Sequence, residues 1–388
     1  MNARERFLRT MAFEPCDRPI FWELGYWAST LERWHGEGLR KTSRSPMPAI
    51  GSEAVAGGAM PWPHPLGTPR DREVEEDLRL DPPLRRVPVQ NSLHPFFEEQ
   101  TLEEDEDTRV IVGMTGAVMK VRKDEGGMPL FLSFPVTGWE SWESLRDERL
   151  QMDIDSRLPQ EWRNLIAEYA TRDYPLCIGG GRDGYFGMLR EFMGTEGLFY
   201  MYHDDPRLVH AIQEHMTNLW IALYDRVLSE VTADAFFFWE DMAYKAGSLI
   251  SPAAFREFML PYYRRMTSFL ADHGIRNIIV DTDGNCWELL PLFQEAGLTG
   301  VYPFEVQAGM DVVEARRRFP RLQILGGLDK RCLAQSRLAI DQELDRKVPF
   351  MLKQGGYVPY ADHLIPPDVS WEYFVYYRSR IKEMGGGR

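Results

Sequence analysis

The sequence has few cysteines, and none of them are spaced as metal ligands. Its 388 residues include only four, Cys16, Cys177, Cys286 and Cys332, with no CxxC motif among them. This spacing excludes a zinc-finger fold and a disulfide-stapled fold. A chain of this length buries enough apolar surface to fold without such cross-links. We therefore expect free thiols in a reducing compartment.

The sequence also lacks long apolar runs and an excess of positive charge. No apolar run approaches the roughly 18 residues that a membrane span needs. Residues 1–6 lack the apolar core of a signal peptide. The formal net charge is -14, whereas nucleic-acid binding needs a basic face for the phosphates. We expect a cytoplasmic protein that binds a small-molecule substrate, and neither nucleic acid nor a membrane.

Short apolar strands alternate with helical stretches, which predicts parallel strands joined by helical crossovers. Helix starts are marked by Asp205-Pro206, Ser251-Pro252 and Asp311. Further helices are predicted over residues 287–296, 340–354 and 370–383. The predicted strands cover residues 20–24, 175–178, 235–239, 277–280, 300–304, 322–325 and 356–360. The predicted fold is an α/β (β/α)8 TIM barrel formed by a single domain, residues 1–388.

Residues 40–135 interrupt the alternation and are interpreted as an insertion near the N-terminal third. Residues 49–69 are rich in glycine and proline, which predicts a long loop. Residues 109–112 and 118–121 flank Gly116, which predicts a β-hairpin over one end of the barrel. A closed barrel needs an eighth strand, which we expect among residues 128–165 or within this insertion.

Ionisable side chains follow every predicted strand. Active sites of (β/α) barrels lie at the carboxyl ends of the strands, so these side chains form the candidate site. Converging carboxylates persist only when they are protonated, paired with a cation or neutralised by a metal. The candidates are Glu23, Arg182, Asp183, Glu240, Asp241, Asp281, Asp283, Glu305, Asp329, Lys330, Asp362 and His363.

Some of the acidic candidates also have a purely structural interpretation. Asp281 and Asp283 precede a glycine and could shape a turn into the next helix. Glu240 and Asp241 could cap the segment that follows them. The composition of the strand ends therefore marks a candidate site without separating its structural members from its catalytic members.

Cations near the strand ends are candidates for substrate binding and proton transfer. Arg182 suits bidentate binding of a substrate carboxylate. Lys330 suits a general acid. His363 suits proton transfer, because the adjacent Asp362 could orient its ring.

Aromatic residues and glycines near the strand ends allow two interpretations. Tyr185 and Tyr360 would donate hydrogen bonds to a substrate, and Trp22 would form an apolar wall, although core packing explains these rings equally well. Gly179-Gly180-Gly181 lacks the spacing of a nucleotide-binding loop, so no nucleotide cofactor is expected. The glycines predict close approach to a substrate or tight packing.

Six short segments, in order along the chain, resemble those of one enzyme superfamily. They are Arg4-Glu5-Arg6-Phe7, Cys16-Asp17-Arg18-Pro19, Trp239-Glu240-Asp241-Met242, Asp281-Thr282-Asp283-Gly284, Gly326-Gly327-Leu328-Asp329 and Gly355-Gly356-Tyr357-Val358. Together they make the sequence similar to the uroporphyrinogen decarboxylase superfamily, which includes zinc-dependent methyltransferases that act with corrinoid proteins and coenzyme M. The resemblance implies a (β/α)8 barrel with its site at the strand ends, and a homodimer.

Two departures from the family pattern bear on the reaction. The decarboxylases carry an arginine-rich segment for tetrapyrrole carboxylates where this chain has Glu23, so tetrapyrrole decarboxylation is not expected. The methyltransferases carry a His-x-Cys zinc pair where this chain has Asp281 and Asp283, so the thiolate zinc site is absent. The chain is interpreted as a divergent branch of the superfamily.

The resemblance leaves two reactions open. The first is methyl transfer from a small methylated or methoxylated substrate to a corrinoid-binding partner, with zinc or another divalent ion activating the substrate. The alternative is decarboxylation of a carboxylated substrate that Arg182 would clamp. A non-catalytic binding protein is the third class, disfavoured because so many charges at one mouth are costly without a ligand. The metal ligands would be Glu240, Asp281, Asp283, Glu305 and His363; the catalytic groups Asp241, His363 and Lys330; and the substrate-binding residues Glu23, Trp22, Arg182, Tyr185 and Tyr360.

Overall fold

A computed structural model describes residues 1–42, 54–61, 70–123 and 129–386. The helices are α1 (Ala3–Met11), α2 (Ala28–Glu37), α3 (Glu73–Asp77), α4 (Trp139–Arg149), α5 (Trp162–Ala170), α6 (Gly187–Met193), α7 (Thr195–Asp204), α8 (Pro206–Leu228), α9 (Pro252–Phe258), α10 (Leu260–Asp272), α11 (Leu290–Glu295), α12 (Val312–Arg318), α13 (Arg337–Gln354) and α14 (Trp371–Met384). The strands are β1 (Gly25–Trp27), β2 (Ala54–Ala56), β3 (Arg85–Arg86), β4 (Gln100–Glu104), β5 (Thr108–Val112), β6 (Val118–Arg122), β7 (Leu130–Ser133), β8 (Leu176–Gly179), β9 (Ala235–Trp239), β10 (Ala243–Tyr244), β11 (Gly247–Ser248), β12 (Ile278–Asp281), β13 (Gly300–Tyr302), β14 (Gln323–Leu325) and β15 (Tyr357–Val358).

Seven strands form one parallel sheet that curls into a half-barrel. Its order is β15-β14-β13-β12-β9-β8-β3. Strand β12 lies between β9 and β13, and its last residue, Asp281, pairs with Trp239 on one side and Tyr302 on the other. The carboxyl ends of these strands therefore meet at one edge of the sheet, where the candidate residues lie.

Six of the predicted strands form in this sheet, whereas the prediction for residues 20–24 is wrong. These residues are buried, but their carbonyl groups accept hydrogen bonds from loop residues: Ala59 N–H donates to Glu23 (3.0 Å) and Gly57 N–H donates to Leu24 (2.9 Å). The strand lies just beyond them, where β1 pairs antiparallel with β2. An apolar segment that loops bury has the composition of a strand but lacks the hydrogen bonds to a neighbouring strand.

The seventh strand of the sheet, β3, lies within residues 40–135 and pairs in parallel with β8. It is therefore found in the region interpreted as an insertion. Residues 128–165, the other location predicted for a barrel strand, contribute only β7 among their described positions, and β7 pairs antiparallel with β6.

The remainder of residues 40–135 includes a four-stranded antiparallel sheet of order β4-β5-β6-β7. The two strands predicted around Gly116 are β5 and β6, which pair with Val112 opposite Val118. Every residue of this sheet is exposed or half-buried. Of the loop predicted over residues 49–69, the structure describes residues 54–61, which include β2; the rest lies outside the described residues.

A side-chain cap begins six of the fourteen α-helices in the described residues: α1, α8, α9, α12, α13 and α14. Ser251 Oγ accepts from Ala254 N–H at 3.1 Å, and Asp205 Oδ1 accepts from Leu208 N–H at 3.3 Å, each with a proline in the first turn. The helix predicted from residue 287 begins only at Leu290. The side chain of Asn285 accepts from Trp287 N–H at 3.3 Å, which holds that stretch in a turn.

Side chains alternate along the strands of the parallel sheet, which decides what faces the barrel interior. On β9 and β12, Phe236 and Val280 pack in the cluster that includes the surrounding helices. Phe237 and Ile279 belong to a separate interior cluster with Tyr302. Asp281 follows Ile279 by two residues and therefore faces the interior. No helix in the described ranges is long and apolar enough to cross a membrane.

Candidate active site

Four side chains gather where β9 and β12 end and beside the loop after β15: Asp241, Asp281, Asp283 and His363, here called the acid cluster. The backbone holds the first two close together, because the N–H groups of Glu240 (2.9 Å) and Asp241 (3.3 Å) both donate to the Asp281 carbonyl oxygen. Asp241 adopts a positive φ of 47°. This conformation is uncommon outside glycine and clusters at functional sites.

Each acid of the cluster has a specific partner. Tyr302 Oη donates to Asp281 Oδ2 at 3.0 Å. Arg190 Nη2 donates to Asp241 Oδ2 at 3.0 Å. His363 Nε2 lies 3.5 Å from Asp283 Oδ2. The cluster, three carboxyl groups and one imidazole, is therefore bordered by one cation, Arg190, and one phenol, Tyr302.

The negative charge of one carboxyl group in the cluster disfavours ionisation of the others. Burial raises the pKa of Asp281 well above its ordinary range, and the charges of Asp241 and Asp283 raise it further against the Tyr302 hydrogen bond. Burial and Asp283 also raise the pKa of Asp241, although Arg190 opposes the shift. Since like charges in one site disfavour simultaneous ionisation, the ionisation of Asp241 is coupled to that of Asp281, and the pKa of each is raised.

His363 interacts with the acids of the cluster through Asp283. Burial by itself lowers the pKa of His363, but the hydrogen bond and the charge of Asp283 outweigh it, so the pKa is raised. The predicted orienting partner, Asp362, is engaged elsewhere: its carboxylate accepts from Val306 N–H (2.8 Å) and Lys330 N–H (3.1 Å). Asp362 thus ties two loops together, and Asp283 is the partner of the imidazole.

Glu240 lies next to the cluster in sequence but is held by different groups. Its Oε1 accepts from Tyr185 N–H (2.8 Å) and from the Tyr263 hydroxyl, and its Oε2 accepts from the N–H groups of Phe186 (2.7 Å) and Gly187 (3.1 Å). The residue is fully buried. Burial raises its pKa to about 7 against these four hydrogen bonds. The carboxylate joins the loop after β8 to α10.

The predicted metal ligands are not arranged as one coordination set. Glu240 uses both of its oxygens as described above. Glu305 accepts from Gly284 N–H (2.9 Å) and Gln307 Nε2 (2.7 Å). Within the described ranges, no three His, Cys, Asp or Glu side chains come together in a group that could hold a metal ion. The residues do not fit the ion as they stand, and its presence stays a prediction.

Glu23 and Trp22, two of the predicted substrate-binding residues, have partners inside the protein. Glu23 is fully buried, 3.2 Å from Arg378 Nη1, and accepts from Ala361 N–H at 2.9 Å. Trp22 Nε1 donates to the Pro82 carbonyl at 2.9 Å. The structure does not bring either residue into the acid cluster.

The other predicted substrate-binding residues divide in the same way. Arg182 forms an ion pair with Glu191. Tyr185 is fully buried and donates to the Tyr262 carbonyl at 3.0 Å. Tyr360 is also fully buried, but its hydroxyl has no hydrogen-bond partner among the described residues. Of these three, Tyr360 alone offers a free polar group to the interior.

Lys330, predicted as a catalytic group, begins a short 3-10 helix after β14. Burial raises the pKa of the Asp362 carboxyl, and the charge of Lys330 opposes that shift; the same charge also opposes the upward shift of the His363 pKa. The neighbouring Asp329 pairs instead with Arg331 at 2.7 Å. Lys330 therefore lies close enough to influence His363 without being part of the acid cluster.

Sequence reasoning missed three residues at this edge of the sheet. Tyr302 lies within the strand predicted over residues 300–304; the observed strand β13 ends at this residue, two positions before the predicted end. Arg190 lies within α6, and no local signal marks it. Arg86 ends β3, in the segment interpreted as an insertion; it is buried, and its Nε and Nη2 have no hydrogen-bond partner among the described residues.

A cavity of about 560 Å³ lies near the opposite ends of the strands, with Thr10, Phe13 and Tyr357 in its wall. One acid in this wall, Asp17, is held by Arg6 at 2.7 Å, and its pKa is lowered, foremost by that hydrogen bond. The positive φ of Asp241 and the raised pKa values of Asp241 and Asp281 are the stronger signs of chemistry. In barrel enzymes this opposite face serves stability.

Comparison with known protein families gives one match. A family model described as uroporphyrinogen decarboxylase (URO-D) matches residues 119–383, which is more than half of the chain. The match includes all four residues of the acid cluster, together with Arg190 and Tyr302, whereas Glu23 and Arg86 precede it. No curated protein matches the chain by sequence.

Proposed function

Because the chain belongs to the uroporphyrinogen decarboxylase (URO-D) family, we propose that it is a carboxy-lyase acting on a small carboxylated substrate at the acid cluster. The observation that carries this proposal is the crowding of the Asp241, Asp281 and Asp283 carboxyl groups at neighbouring strand ends, which raises the pKa of Asp281, beside the imidazole of His363, 3.5 Å from Asp283. A carboxyl group kept protonated in a buried site can serve as a general acid at neutral pH.

The proposed reaction uses this proton. The bond between the substrate carbon and its carboxylate breaks, carbon dioxide leaves, and the electron pair stays on the carbon. Protonated Asp281 then donates its proton to that carbon, and solvent restores the proton. Tyr302 orients the Asp281 carboxyl group, and Arg190 holds Asp241 in place as a carboxylate.

Release of carbon dioxide tests the proposal. Purified protein, dialysed against EDTA, is incubated with a panel of small mono- and dicarboxylic acids. We expect wild type and Asp311→Asn to release carbon dioxide at similar rates and Asp281→Asn to release it about 1000-fold more slowly. Asp311 is a matched control because it caps α12, accepting from the N–H groups of Val313 and Glu314 (2.9 Å each), and asparagine caps equally well. Activity that EDTA abolishes and zinc restores would contradict the acid–base proposal.

Methyl transfer to a corrinoid-binding protein is the second candidate function. The observation that favours it is the pair Asp283 and His363, whose side chains are 41% and 28% exposed and offer an oxygen and a nitrogen donor. Metal analysis of the purified protein and transfer of methyl groups to free cob(I)alamin test it. Stoichiometric zinc with methylcobalamin formation, and no release of carbon dioxide, would favour this candidate.

We also propose that the half-barrel closes into a (β/α)8 barrel through residues 20–27, with the antiparallel sheet as an insertion. Two contacts support closure: Trp27 N–H donates to the Ile365 carbonyl (3.2 Å), and Ile365 N–H donates to the Gly25 carbonyl (3.0 Å). These bonds link β1 to the segment after β15. Deleting residues 100–133 should leave a folded protein if the sheet is an insertion; loss of cooperative unfolding would contradict this.

A further inference from the structure

Arg86 is a buried cation whose guanidinium is only partly satisfied by the described residues. The residue is 7% exposed, and its Nε and Nη2 have no hydrogen-bond partner in the described part of the chain. Burying a charged group without a partner costs roughly several kcal/mol of folding free energy. A cation retained in this state is expected where a ligand supplies the opposite charge.

The acid on the loop after β8 compensates this charge incompletely. Asp183 accepts from the Tyr224 hydroxyl (2.7 Å) and from Asn91 Nδ2. Burial raises the pKa of Asp183 to about 7, with Arg86 among the groups that oppose the shift. Asp183 is therefore satisfied by neutral donors and leaves the Nε and Nη2 side of Arg86 open.

Strand alternation sends Arg86 into the barrel. The preceding residue, Arg85, is exposed, and its guanidinium lies 4.0 Å from the ring centroid of Tyr174 on the outer surface. Successive side chains of a strand point to opposite faces, so Arg86 points inward. Its guanidinium extends past Gly179, the last residue of β8, and lies against Gly181. The evidence is that a Cβ added at Gly181 would overlap Arg86 Nη1. It therefore reaches the edge of the sheet where the acid cluster lies.

The glycines after β8 make room for this side chain. Gly179 and Gly180 have positive φ angles of 75° and 72°, which favour glycine. Gly181 leaves the space that Arg86 occupies. From the sequence, these glycines could serve either close approach of a substrate or tight packing. At Gly181, the absence of a side chain makes room for the buried Arg86.

We propose that Arg86 is the anchor for a substrate carboxylate, bound side-on by its Nε–H and Nη2–H groups. This planar pair of donors matches the two oxygens of a carboxylate. The proposal rests on the proposed function for the reaction, and it names the substrate class. An ion pair stabilises the carboxylate that it binds, whereas decarboxylation must remove that charge. The anchored carboxylate is thus retained, and the substrate is a dicarboxylate whose second carboxylate leaves.

Binding without turnover tests the anchor separately from the reaction. Butyrate, benzoate and succinate are each titrated calorimetrically against their amides at pH 7. We expect at least one carboxylate to bind wild type at least about tenfold more tightly than its amide. Arg86→Gln should weaken that carboxylate about tenfold, which is about 1.4 kcal/mol, and leave the amide unchanged. Arg85→Gln, on the same strand but facing outward, should bind as wild type does.

Equal binding by Arg86→Gln and wild type would overturn the proposal, as would equal binding of carboxylate and amide by wild type. Gly181→Ala provides a second variant, because its added methyl group displaces the guanidinium; it should lose carboxylate binding as well. Its control is Gly36→Ala, in α2, where an added Cβ meets nothing within 4 Å. Carboxylate binding that depends on Arg86, in a wild-type protein that releases no carbon dioxide from any acid of the panel, would sustain the anchor while removing the proposed reaction.

Discussion

Glu240 and Asp281 follow or end neighbouring strands of one sheet, but their surroundings differ. Glu240 is buried among four donors, three of them backbone N–H groups. Asp281, among the described residues, accepts from Tyr302 and faces two further acids. A carboxylate supplied with donors stabilises the fold, whereas one crowded by like charges is available for proton transfer. The environment decides the role, and the residue type does not.

The arginines show the same contrast. Arg182 pairs with Glu191, and the charge is matched inside the protein. Two nitrogens of Arg86, Nε and Nη2, have no hydrogen-bond partner among the residues that the structure describes. Comparing satisfied and unsatisfied groups of the same residue type therefore separates the structural shell of the site from the residues that would meet a substrate.

Asp281→Asn should break this comparison with the largest effect on activity. A positioned general acid contributes roughly 100- to 10,000-fold to a rate, and we expect carbon dioxide release to fall about 1000-fold. The free energy of unfolding should stay the same or rise, because asparagine removes one of three crowded acids while keeping an oxygen for Tyr302. Urea denaturation checks the stability. A variant that retains its rate would assign Asp281 to the structural group.

Glu240→Ala should show the opposite profile. It leaves three buried N–H groups and the Tyr263 hydroxyl without their acceptor, and each such loss costs about 1–3 kcal/mol. After relaxation we expect the free energy of unfolding to fall by about 4 kcal/mol. Denaturation midpoints measure this loss. If the variant is as stable as wild type but inactive, Glu240 belongs with the catalytic residues.

The pH dependence sharpens the contrast further. Activity needs the proton on Asp281, whose pKa is raised by burial and by Asp241 and Asp283, so activity should be full on the acid side of that raised pKa. It should fall about tenfold per pH unit above it. His363→Asn should change the shape of this limb, since its own raised pKa depends on Asp283. A rate that rises with pH through neutrality would contradict the proposal.

Stability should respond to pH with a definite sign. Between the ordinary pKa of an aspartate and the raised pKa of Asp281, the folded state binds more protons than the unfolded state. The free energy of unfolding of wild type therefore falls as pH rises through this window, by up to about 1.4 kcal/mol per unit. Asp281→Asn lacks this group and should gain stability relative to wild type as the pH increases. Parallel stability curves would remove Asp281 as the proton carrier.

The sequence predicted the features that depend on local chemistry. Alternating apolar strands, Ser251 before Pro252 and acids after β9 and β12 are visible in short windows, and the structure has them. Strand β3 escaped detection because its two residues are both arginines, and a window centred on them has no apolar alternation. The strand predicted over residues 20–24 was wrong because these residues are apolar and buried, but loops cover them. Burial by loops requires the same apolar composition as burial in a sheet.

In the candidate site, too, the locally visible features could be predicted and the long-range contacts could not. Strand-end acids are found from the sequence, but their partners lie far away along the chain. Arg378 is 355 positions from Glu23, and Tyr263 is 23 positions from Glu240. Which carboxylate is satisfied depends on these long-range pairs, and no local pattern encodes them. The sequence therefore predicted a candidate site at the strand ends and did not separate its structural members from its catalytic members.

Arg182→Gln should produce the smallest effect and is the finest test of the comparison. Arg182 was the predicted carboxylate clamp, yet it already pairs with Glu191, a residue whose pKa burial raises and Arg182 lowers. Removing the pair should lower the free energy of unfolding by about 1–2 kcal/mol, because Glu191 then takes up a proton. Carboxylate affinity should change by less than about twofold, against about tenfold for Arg86→Gln. Calorimetry with the same carboxylate measures both variants. If Arg182→Gln loses the ligand and Arg86→Gln keeps it, charge satisfaction within the free protein does not identify the substrate-binding arginine, because the substrate would then displace Glu191 from Arg182.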